Sequence, residues 1–219
     1  MKVVILAGGR GSRLGADVPK PMVEIGRIPM LSHIMGIYKK YGYNDFIVAT
    51  GYCGEYIRDY YKKDPCVTCI DTGLDSLTGE RVRECELRIE EEEFMLTYGD
   101  GVSDIDINKL IKSYHKKVTV TAVHPPARFG QLKIRGNKVS QFNEKSSNQE
   151  DWVNGGFFVV SSEFASKASG KSWEYDTLSC LAEEEYLYAY KHTGFWQCMD
   201  TQRDVDYLNQ LWKEGAPWL

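Results

Sequence analysis

The stretch VVILAGGRGSRL at residues 3–14 decides the fold. It begins with aliphatic and β-branched residues, Val3 to Leu6, which is typical of a strand buried on both faces of a parallel sheet. Three glycines follow at once, and they let the backbone approach a ligand and surround phosphate oxygens with N–H groups. A tight strand-to-helix turn would explain the glycines, but it would not explain Arg10 and Arg13, whose charge matches phosphate. We therefore predict a phosphate-binding loop.

Strand and helix patterns alternate through the rest of the first half. Short apolar runs predict strands, and apolar residues at helical spacing predict the helices between them. The predicted strands are 2–6, 45–50, 93–98 and 118–123, and the predicted helices are 30–41, 54–61 and 105–115. This alternation favours an α/β fold with a mostly parallel central sheet flanked by helices.

The second half changes character. Alternating residues predict a hairpin over 131–142 with Gly136 and Asn137 in its turn, and a strand follows at 153–160. Helices are predicted at 172–185 and 201–213, the latter with Thr201 as its N-cap. Without repeats or an obvious linker, we expect one domain over residues 1–219, with a small β-rich part that completes a substrate pocket.

Composition excludes several classes of function. The 219 residues carry a formal net charge of −4, so the chain lacks the basic excess that nucleic-acid binding needs. No apolar run is long enough to span a bilayer, and we expect a cytoplasmic protein without a membrane partner. The six cysteines are then expected to be free thiols. Cys66 and Cys69 have the spacing of half a metal site, but no second pair completes it, so strand or loop packing is favoured over a metal or redox role.

Three charged residues outside the loop are candidates for chemistry. Asp100 follows a predicted strand, where ligands bind in open α/β sheets, and it could face the glycine-rich loop and hold Mg²⁺. Asp200 precedes the last helix, and Lys20 stands between two prolines in a segment expected to be stiff and extended. Each has a simpler explanation: a Gly-Asp-Gly turn for Asp100, helix capping for Asp200 and a solvated side chain for Lys20.

Taken together, eight ordered segments covering nearly the whole chain resemble the sugar-phosphate nucleotidyltransferase family. Two of them, at 71–81 and 195–201, are similar to its cytidylyltransferase branch. The segments are LAGGRGSRL at 6–14, PKPMVEIG at 19–26, DTGLDSLTGER at 71–81, YGDGVSD at 98–104, PPARFGQL at 125–132, NEK at 143–145, NGGFFV at 154–159 and FWQCMDT at 195–201.

The resemblance implies a Rossmann-like nucleotidyltransferase fold and a single-displacement reaction. A phosphate oxygen of the acceptor attacks the α-phosphorus of CTP, and pyrophosphate leaves. The implied acceptor is a sugar 1-phosphate, with glucose 1-phosphate the first choice, and the implied cofactor is Mg²⁺. Because a phosphate monoester is already an anionic nucleophile, this chemistry needs positioning and charge neutralisation rather than a strong base.

The resemblance also implies roles for individual residues. Arg13 would stabilise the leaving pyrophosphate, Lys20 the α-phosphate, and Lys145 the acceptor phosphate, while Asp100 and Asp200 would bind Mg²⁺. The implied nucleotide-binding residues are Leu6, Ala7, Gly8, Gly9, Arg10, Gly11, Ser12, Asp71, Thr72, Ser76, Thr78 and Gly79. The implied acceptor-binding residues are Gly130, Glu144, Lys145, Asn154, Gly155 and Trp196.

Two departures from the family pattern keep alternatives open. The chain passes quickly from Tyr61 to Asp71, where family members carry a longer segment, and Ser146 replaces a usual proline. The acceptor could therefore be another phosphate monoester, even one that is not a sugar, and the state of any homo-oligomer is open. A more remote alternative is a nucleotide-binding regulatory module without activity, against which the retained Lys20 and Asp100 argue.

Overall fold

The computed structural model describes residues 1–11, 18–125, 131–143 and 151–219. Its strands are β1 (Val3–Leu6), β2 (Glu24–Ile25), β3 (Ile28–Pro29), β4 (Phe46–Thr50), β5 (Val67–Asp71), β6 (Glu93–Tyr98), β7 (Gly101–Ser103), β8 (Val118–Val123), β9 (Gln131–Arg135), β10 (Lys138–Asn143), β11 (Val153–Ser161), β12 (Leu187–Lys191) and β13 (Trp196–Cys198). Its α-helices are α1 (Met30–Lys39), α2 (Gly54–Tyr61), α3 (Thr78–Glu86), α4 (Ile107–Lys112), α5 (Ser162–Ala165), α6 (Ser179–Glu183) and α7 (Gln202–Glu214). Short 3₁₀ turns span Lys20–Met22 and Ser166–Ala168, and a π-helical turn spans Trp173–Leu178.

A seven-stranded sheet in the order β12-β8-β11-β6-β1-β4-β5 forms the centre of the fold. Strand β11 runs antiparallel to both of its neighbours, and the other neighbouring pairs are parallel. The predicted α/β class with a mostly parallel sheet is therefore confirmed. Three smaller pairings, β9 with β10, β7 with β13 and β2 with β3, lie outside this sheet.

Strand β1 is buried on both faces, as its unbroken apolar sequence predicts. Because successive side chains of a strand point to opposite faces, Val3 and Ile5 join one hydrophobic cluster while Val4 and Leu6 join another. Helices α1, α2, α4 and α7 contribute to the first cluster, and α3, α5 and α6 to the second. Helices thus cover both faces of the sheet and leave the ends of its strands accessible to a ligand.

Most predicted elements are confirmed with small changes in their bounds, but some were missed. Helix α3 escaped prediction because it buries only a narrow apolar stripe around Val82 and Cys85 and contains Gly79. The edge strand β5, with its Cys69, and strand β12 lack the continuous burial that marks the central strands. Lys20 was expected in an extended segment, and it instead begins a 3₁₀ turn after the extended Pro19.

Helix α7 begins as predicted. The Thr201 hydroxyl accepts a hydrogen bond from the Asp204 N–H, and the Asp204 carboxylate accepts one from the Thr201 N–H, which forms a reciprocal capping box. This cap fixes where the chain turns from β13 into the helix, and so fixes the position of Asp200 between them. None of the helices in the described part of the chain is long and apolar enough to cross a membrane.

Candidate active site

A cleft of about 720 Å³ lies at the carboxyl ends of the central strands. The register of β1 and β6 pairs Leu6 with Tyr98, so the loop after Leu6 and the turn after Tyr98 leave the sheet at the same edge. Both segments line the cleft. This agrees with the expectation that ligands bind beyond the carboxyl ends of the strands. The lining residues are Leu6, Ala7, Gly8, Gly9, Arg10, Gly11, Lys20, Pro21, Leu74, Asp75, Ser76, Thr78, Arg81, Tyr98, Gly99, Asp100, Asn154, Glu174 and Asp200.

Three predicted residues from distant parts of the chain meet in this cleft. The Lys20 ammonium donates to Oδ2 of Asp100 at 2.6 Å and to Oδ1 of Asp200 at 2.7 Å. The Lys20 side chain is only 16% exposed, and the two carboxylates keep 32% and 28% of their side-chain surface. The carboxylates therefore converge on one cation at a site that remains open to the cleft.

Local structure explains this convergence. Asp100 lies between β6 and β7, and β7 pairs antiparallel with β13, with Cys198 opposite Gly101. The Met199 N–H donates to the Asp100 carbonyl at 2.8 Å, so the chain before α7 is held beside Asp100. Pro19 and the 3₁₀ turn bring Lys20 to the same place from the other side of the sequence.

The charges of this cluster are mutually dependent. Burial alone would lower the pKa of Lys20, but the adjacent carboxylates of Asp100 and Asp200 outweigh it and raise that pKa above its usual value. Lys20 is therefore a permanent cation at neutral pH. It offers a fixed positive charge to phosphate, while the carboxylates offer oxygen ligands of the kind that Mg²⁺ takes from proteins.

The glycine-rich loop lies against a buried arginine, Arg81, that no sequence pattern assigned to the site. The Arg81 side chain, from α3, donates to the Thr50 carbonyl at 3.1 Å, the Thr72 hydroxyl at 2.6 Å and the Leu74 carbonyl at 3.3 Å. Burial lowers the pKa of Arg81, with the charge of Asp71 acting in the opposite direction. All three of these acceptors are neutral oxygens, so Arg81 brings a buried positive charge to the cleft.

Arg81 fits only because the two loops close to it each have a glycine at the point of contact, Gly8 in one and Gly51 in the other. A Cβ at Gly8 would lie 2.1 Å from Nη1 of Arg81, and a Cβ at Gly51 would lie 2.6 Å from the same atom. At Gly51 the added carbon would also lie 2.7 Å from the Gly73 carbonyl and 2.8 Å from the Gly8 carbonyl. The close approach of these backbones is therefore part of how the loop is supported.

This packing predicts a large effect at Gly51. We expect Gly51→Ala to lower the free energy of unfolding by about 1–3 kcal/mol, because the methyl group meets backbone carbonyls that cannot move cheaply. Gly36→Ala in α1 is the matched control, since a Cβ there meets nothing within 4 Å. That control is expected to be neutral or stabilising by up to about 1 kcal/mol. Equal stability of the two variants in urea denaturation would contradict this account of the loop.

The segment 71–79, expected to help bind the nucleotide, is held by hydrogen bonds within the segment and to neighbouring parts of the chain. Thr72 is buried and donates to the Thr50 carbonyl at 2.7 Å, and the Ser76 hydroxyl donates to the Thr72 carbonyl. Asp71 is exposed and accepts from the Gly73 N–H, while Gly79 is buried against the Lys171 carbonyl. Ser76 and Thr78 line the cleft together with Leu74 and Asp75, whereas Asp71, Thr72 and Gly79 are not among the lining residues.

Of the residues expected to bind the acceptor, one lines the cleft and others do not. Asn154 lines the cleft, and its side-chain amide donates to the Tyr98 hydroxyl at 3.1 Å. Gly155 and Trp196 are not among the lining residues, and the indole N–H of Trp196 donates to the Gly155 carbonyl at 2.7 Å. This contact ties β13 to β11 at the residue after Asn154.

Five predicted site residues, Ser12, Arg13, Gly130, Glu144 and Lys145, lie outside the described residues. Outside the segment 71–79, the lining residues that the sequence did not assign to the site are Pro21, Arg81, Tyr98, Gly99 and Glu174. Arg81 ends the family-like segment at 71–81, which was a usable signal, but Glu174 follows no motif in the sequence.

The fold, the glycine-rich loop and the convergent carboxylates define the class of protein. The chain belongs to the nucleotidyl transferase family, whose model, described as Nucleotidyl transferase, matches residues 2–213. Its relatives include a glucose-1-phosphate cytidylyltransferase of Salmonella typhimurium, which is 42% identical over 253 aligned positions covering 100% of this chain and 98% of that protein. A probable glucose-1-phosphate cytidylyltransferase of Bacillus subtilis is 36% identical over 249 positions, with coverages of 98% and 97%. The resemblance drawn from the sequence motifs is thereby confirmed.

Solved structures agree on the fold. The chain superimposes on HddC from Yersinia pseudotuberculosis with a TM-score of 0.74 at 24% identity, covering 96% of this chain and 99% of HddC. The inositol-1-phosphate CTP transferase from T. maritima gives a TM-score of 0.68 at 19% identity, with coverages of 98% and 97%. At these identities the similarity concerns the architecture alone.

Proposed function

We propose that this protein is a cytidylyltransferase that joins CTP and a sugar 1-phosphate, with glucose 1-phosphate the leading acceptor, and releases pyrophosphate. The observation that carries the proposal is the pair of carboxylates converging on Lys20 beside the glycine-rich loop. The full-length similarity to glucose-1-phosphate cytidylyltransferases supports the choice of CTP and of the acceptor.

The proposed reaction is a substitution at phosphorus. An oxygen of the acceptor phosphate forms a bond to the α-phosphorus of CTP, and the bond from that phosphorus to the bridging oxygen of pyrophosphate breaks, with the electron pair leaving on pyrophosphate. Backbone N–H groups of the loop from Gly8 to Gly11 bind the nucleotide phosphates, and Lys20 neutralises charge on the transferring group. The Arg10–Asp75 ion pair is exposed, with its partners 59% and 82% exposed, so phosphate can compete for Arg10. Arg13 and Lys145 keep the roles that the family resemblance implies.

Asp100 and Asp200 are proposed to hold Mg²⁺. Their oxygens already share one cation, and carboxylates combined with substrate phosphates are a usual ligand set for Mg²⁺. In the described part of the chain no group of three or more His, Cys, Asp or Glu side chains could hold a metal ion. A Mg²⁺ ion held by two carboxylates usually completes its coordination with substrate phosphates and water. When bound, the ion would neutralise charge on the phosphates and on leaving pyrophosphate.

A different acceptor is the second candidate, and a feature of the alignment favours it. The alignment with the Salmonella protein spans 253 positions while this chain has 219 residues, so it contains at least 34 positions where this chain has no residue. A segment absent from this chain can change how the acceptor is held. Another phosphate monoester, including one that is not a sugar, would use the same transfer chemistry.

An acceptor panel tests the proposal. Pyrophosphate release is measured with CTP, Mg²⁺ and glucose 1-phosphate, then with other sugar 1-phosphates and non-sugar phosphate monoesters, and CTP is replaced in turn by the other nucleoside triphosphates. We expect release with CTP and glucose 1-phosphate and its loss when EDTA removes the metal. Release only with a different acceptor would select the second candidate, and no release with any acceptor would overturn the enzyme assignment.

A further inference from the structure

Glu174 lies in an irregular part of the cleft wall. It belongs to the π-helical turn Trp173–Leu178 and lines the cleft together with Tyr98 and Asn154. Short π-helical segments are rare, and they occur often at functional sites. No motif or implied role accounts for a carboxylate at this position.

One oxygen of Glu174 is fixed by the protein itself. Its Oε2 accepts hydrogen bonds from the Thr78 hydroxyl at 2.6 Å and from the Ser172 hydroxyl at 3.1 Å. The Thr78 hydroxyl also accepts from the Trp173 N–H at 2.9 Å, which joins α3 to the π-helical turn. These bonds hold the carboxylate in one orientation, as residues that recognise a ligand require.

The neighbours of Glu174 extend the same polar wall. The Tyr98 hydroxyl accepts a hydrogen bond from the Asn154 amide at 3.1 Å, and the Asn154 carbonyl accepts from the Gly156 N–H at 2.8 Å. The Tyr98 phenol and the Glu174 carboxylate also interact with each other, so both belong to the same part of the cleft wall. Glu174 thus brings a carboxylate to a part of the lining that also holds the hydroxyl of Tyr98 and the amide of Asn154.

A carboxylate in the cleft lining favours a different part of a ligand from the part that the cations Lys20 and Arg81 favour. An ionised carboxylate only accepts hydrogen bonds, so it attracts hydroxyl groups and repels phosphate. We propose that Glu174 is a specificity-determining residue, which accepts a hydrogen bond from a hydroxyl group of a ring polyol bound in the cleft. This inference rests on the proposed function and deepens it, because both substrates of that reaction carry such a ring: the ribose of CTP and the acceptor sugar.

Binding calorimetry on the full chain separates these sources without requiring turnover. Wild type and Glu174→Gln are titrated with CTP, 2′-deoxy-CTP and 3′-deoxy-CTP, and with glucose 1-phosphate and its analogues that each lack one ring hydroxyl. We expect the variant to bind one of the two parent ligands about tenfold more weakly, because a charge-assisted hydrogen bond becomes a neutral one. With the analogue that lacks the contacted hydroxyl, wild type and variant should bind equally, and the identity of that analogue names the source.

Two further variants exclude a purely structural role. Glu183→Gln, at an exposed position of α6, removes the same charge outside the cleft and should leave every affinity unchanged. Thr78→Val removes a bond that positions Glu174, so it should weaken the same parent ligand as Glu174→Gln does and lose that effect with the same analogue. Equal weakening for every analogue, unchanged affinity for both parents, or no binding of either parent by wild type would overturn the role of Glu174. Absence of pyrophosphate release alongside the expected binding pattern would reject only the cytidylyltransferase proposal.

Discussion

Replacing Asp100 with asparagine is expected to lower kcat for pyrophosphate release by about 10²–10³-fold, because losing a preorganised charge-stabilising group costs about this much. The substitution keeps the size of the side chain but removes one of the two negative charges that converge on Lys20. Because Asp100 is 32% exposed and its environment is polar, the unfolding temperature should change little. Raising the Mg²⁺ concentration should recover only a small part of the rate.

Asp104→Asn is the control for this prediction. Asp104 lies just after β7, is exposed, and accepts a hydrogen bond from His192 at 2.8 Å, away from the lining of the cleft. It should turn over at the parental rate. Parental turnover by Asp100→Asn itself would show that the metal assignment is wrong.

Replacing Lys20 with methionine is expected to produce two opposite effects. Turnover should fall by about 10²–10³-fold, because the transferring phosphoryl group loses a cation that is present without rearrangement. Binding of Mn²⁺ to the nucleotide-free protein should become tighter, because the ammonium at 2.6 Å and 2.7 Å no longer competes for the carboxylates of Asp100 and Asp200. Turnover is followed by pyrophosphate release and Mn²⁺ binding by electron paramagnetic resonance.

The matched control for Lys20→Met is Lys39→Met. It makes the same change in net charge, but Lys39 is 40% exposed, pairs with Asp64 at 3.6 Å and lies away from the cleft. Neither turnover nor Mn²⁺ affinity should change in the control. If Mn²⁺ affinity is unchanged or weaker in Lys20→Met, Lys20 does not compete with a metal for these carboxylates.

Much of the fold could be predicted because local sequence and tertiary environment agree. Strands β4, β6 and β8 are unbroken apolar or β-branched runs, and they form the interior of the sheet. The hairpin of β9 and β10 turns at Gly136, which has a φ of +58° that glycine adopts without strain. Helix α3 and strand β5 were missed because each is only partly buried. Their sequences therefore lack a regular spacing of apolar residues.

The candidate site was less accessible to prediction because its members are far apart in the chain. Lys20 lies 80 residues from Asp100 and 180 from Asp200, and no local pattern specifies that their side chains meet. The separate motifs suggested each residue, but the simpler explanations for each were equally compatible with the sequence. Arg81 and Glu174 were not predicted at all, because their place in the cleft depends on how α3 and the π-helical turn pack.

The sequence by itself determined the fold class, the nucleotidyltransferase family and the position of the glycine-rich loop. The spacing of apolar residues and the order of the motifs can both be read directly from the linear sequence. The tertiary structure alone decided which side chains share the cleft: the carboxylates that converge on Lys20, the arginine beside Gly8, and the carboxylate of Glu174. The physical reason is that electrostatic and steric contacts depend on distances in space. Those distances are set by strand register, by the pairing of β7 with β13 and by helix packing, none of which a local pattern encodes.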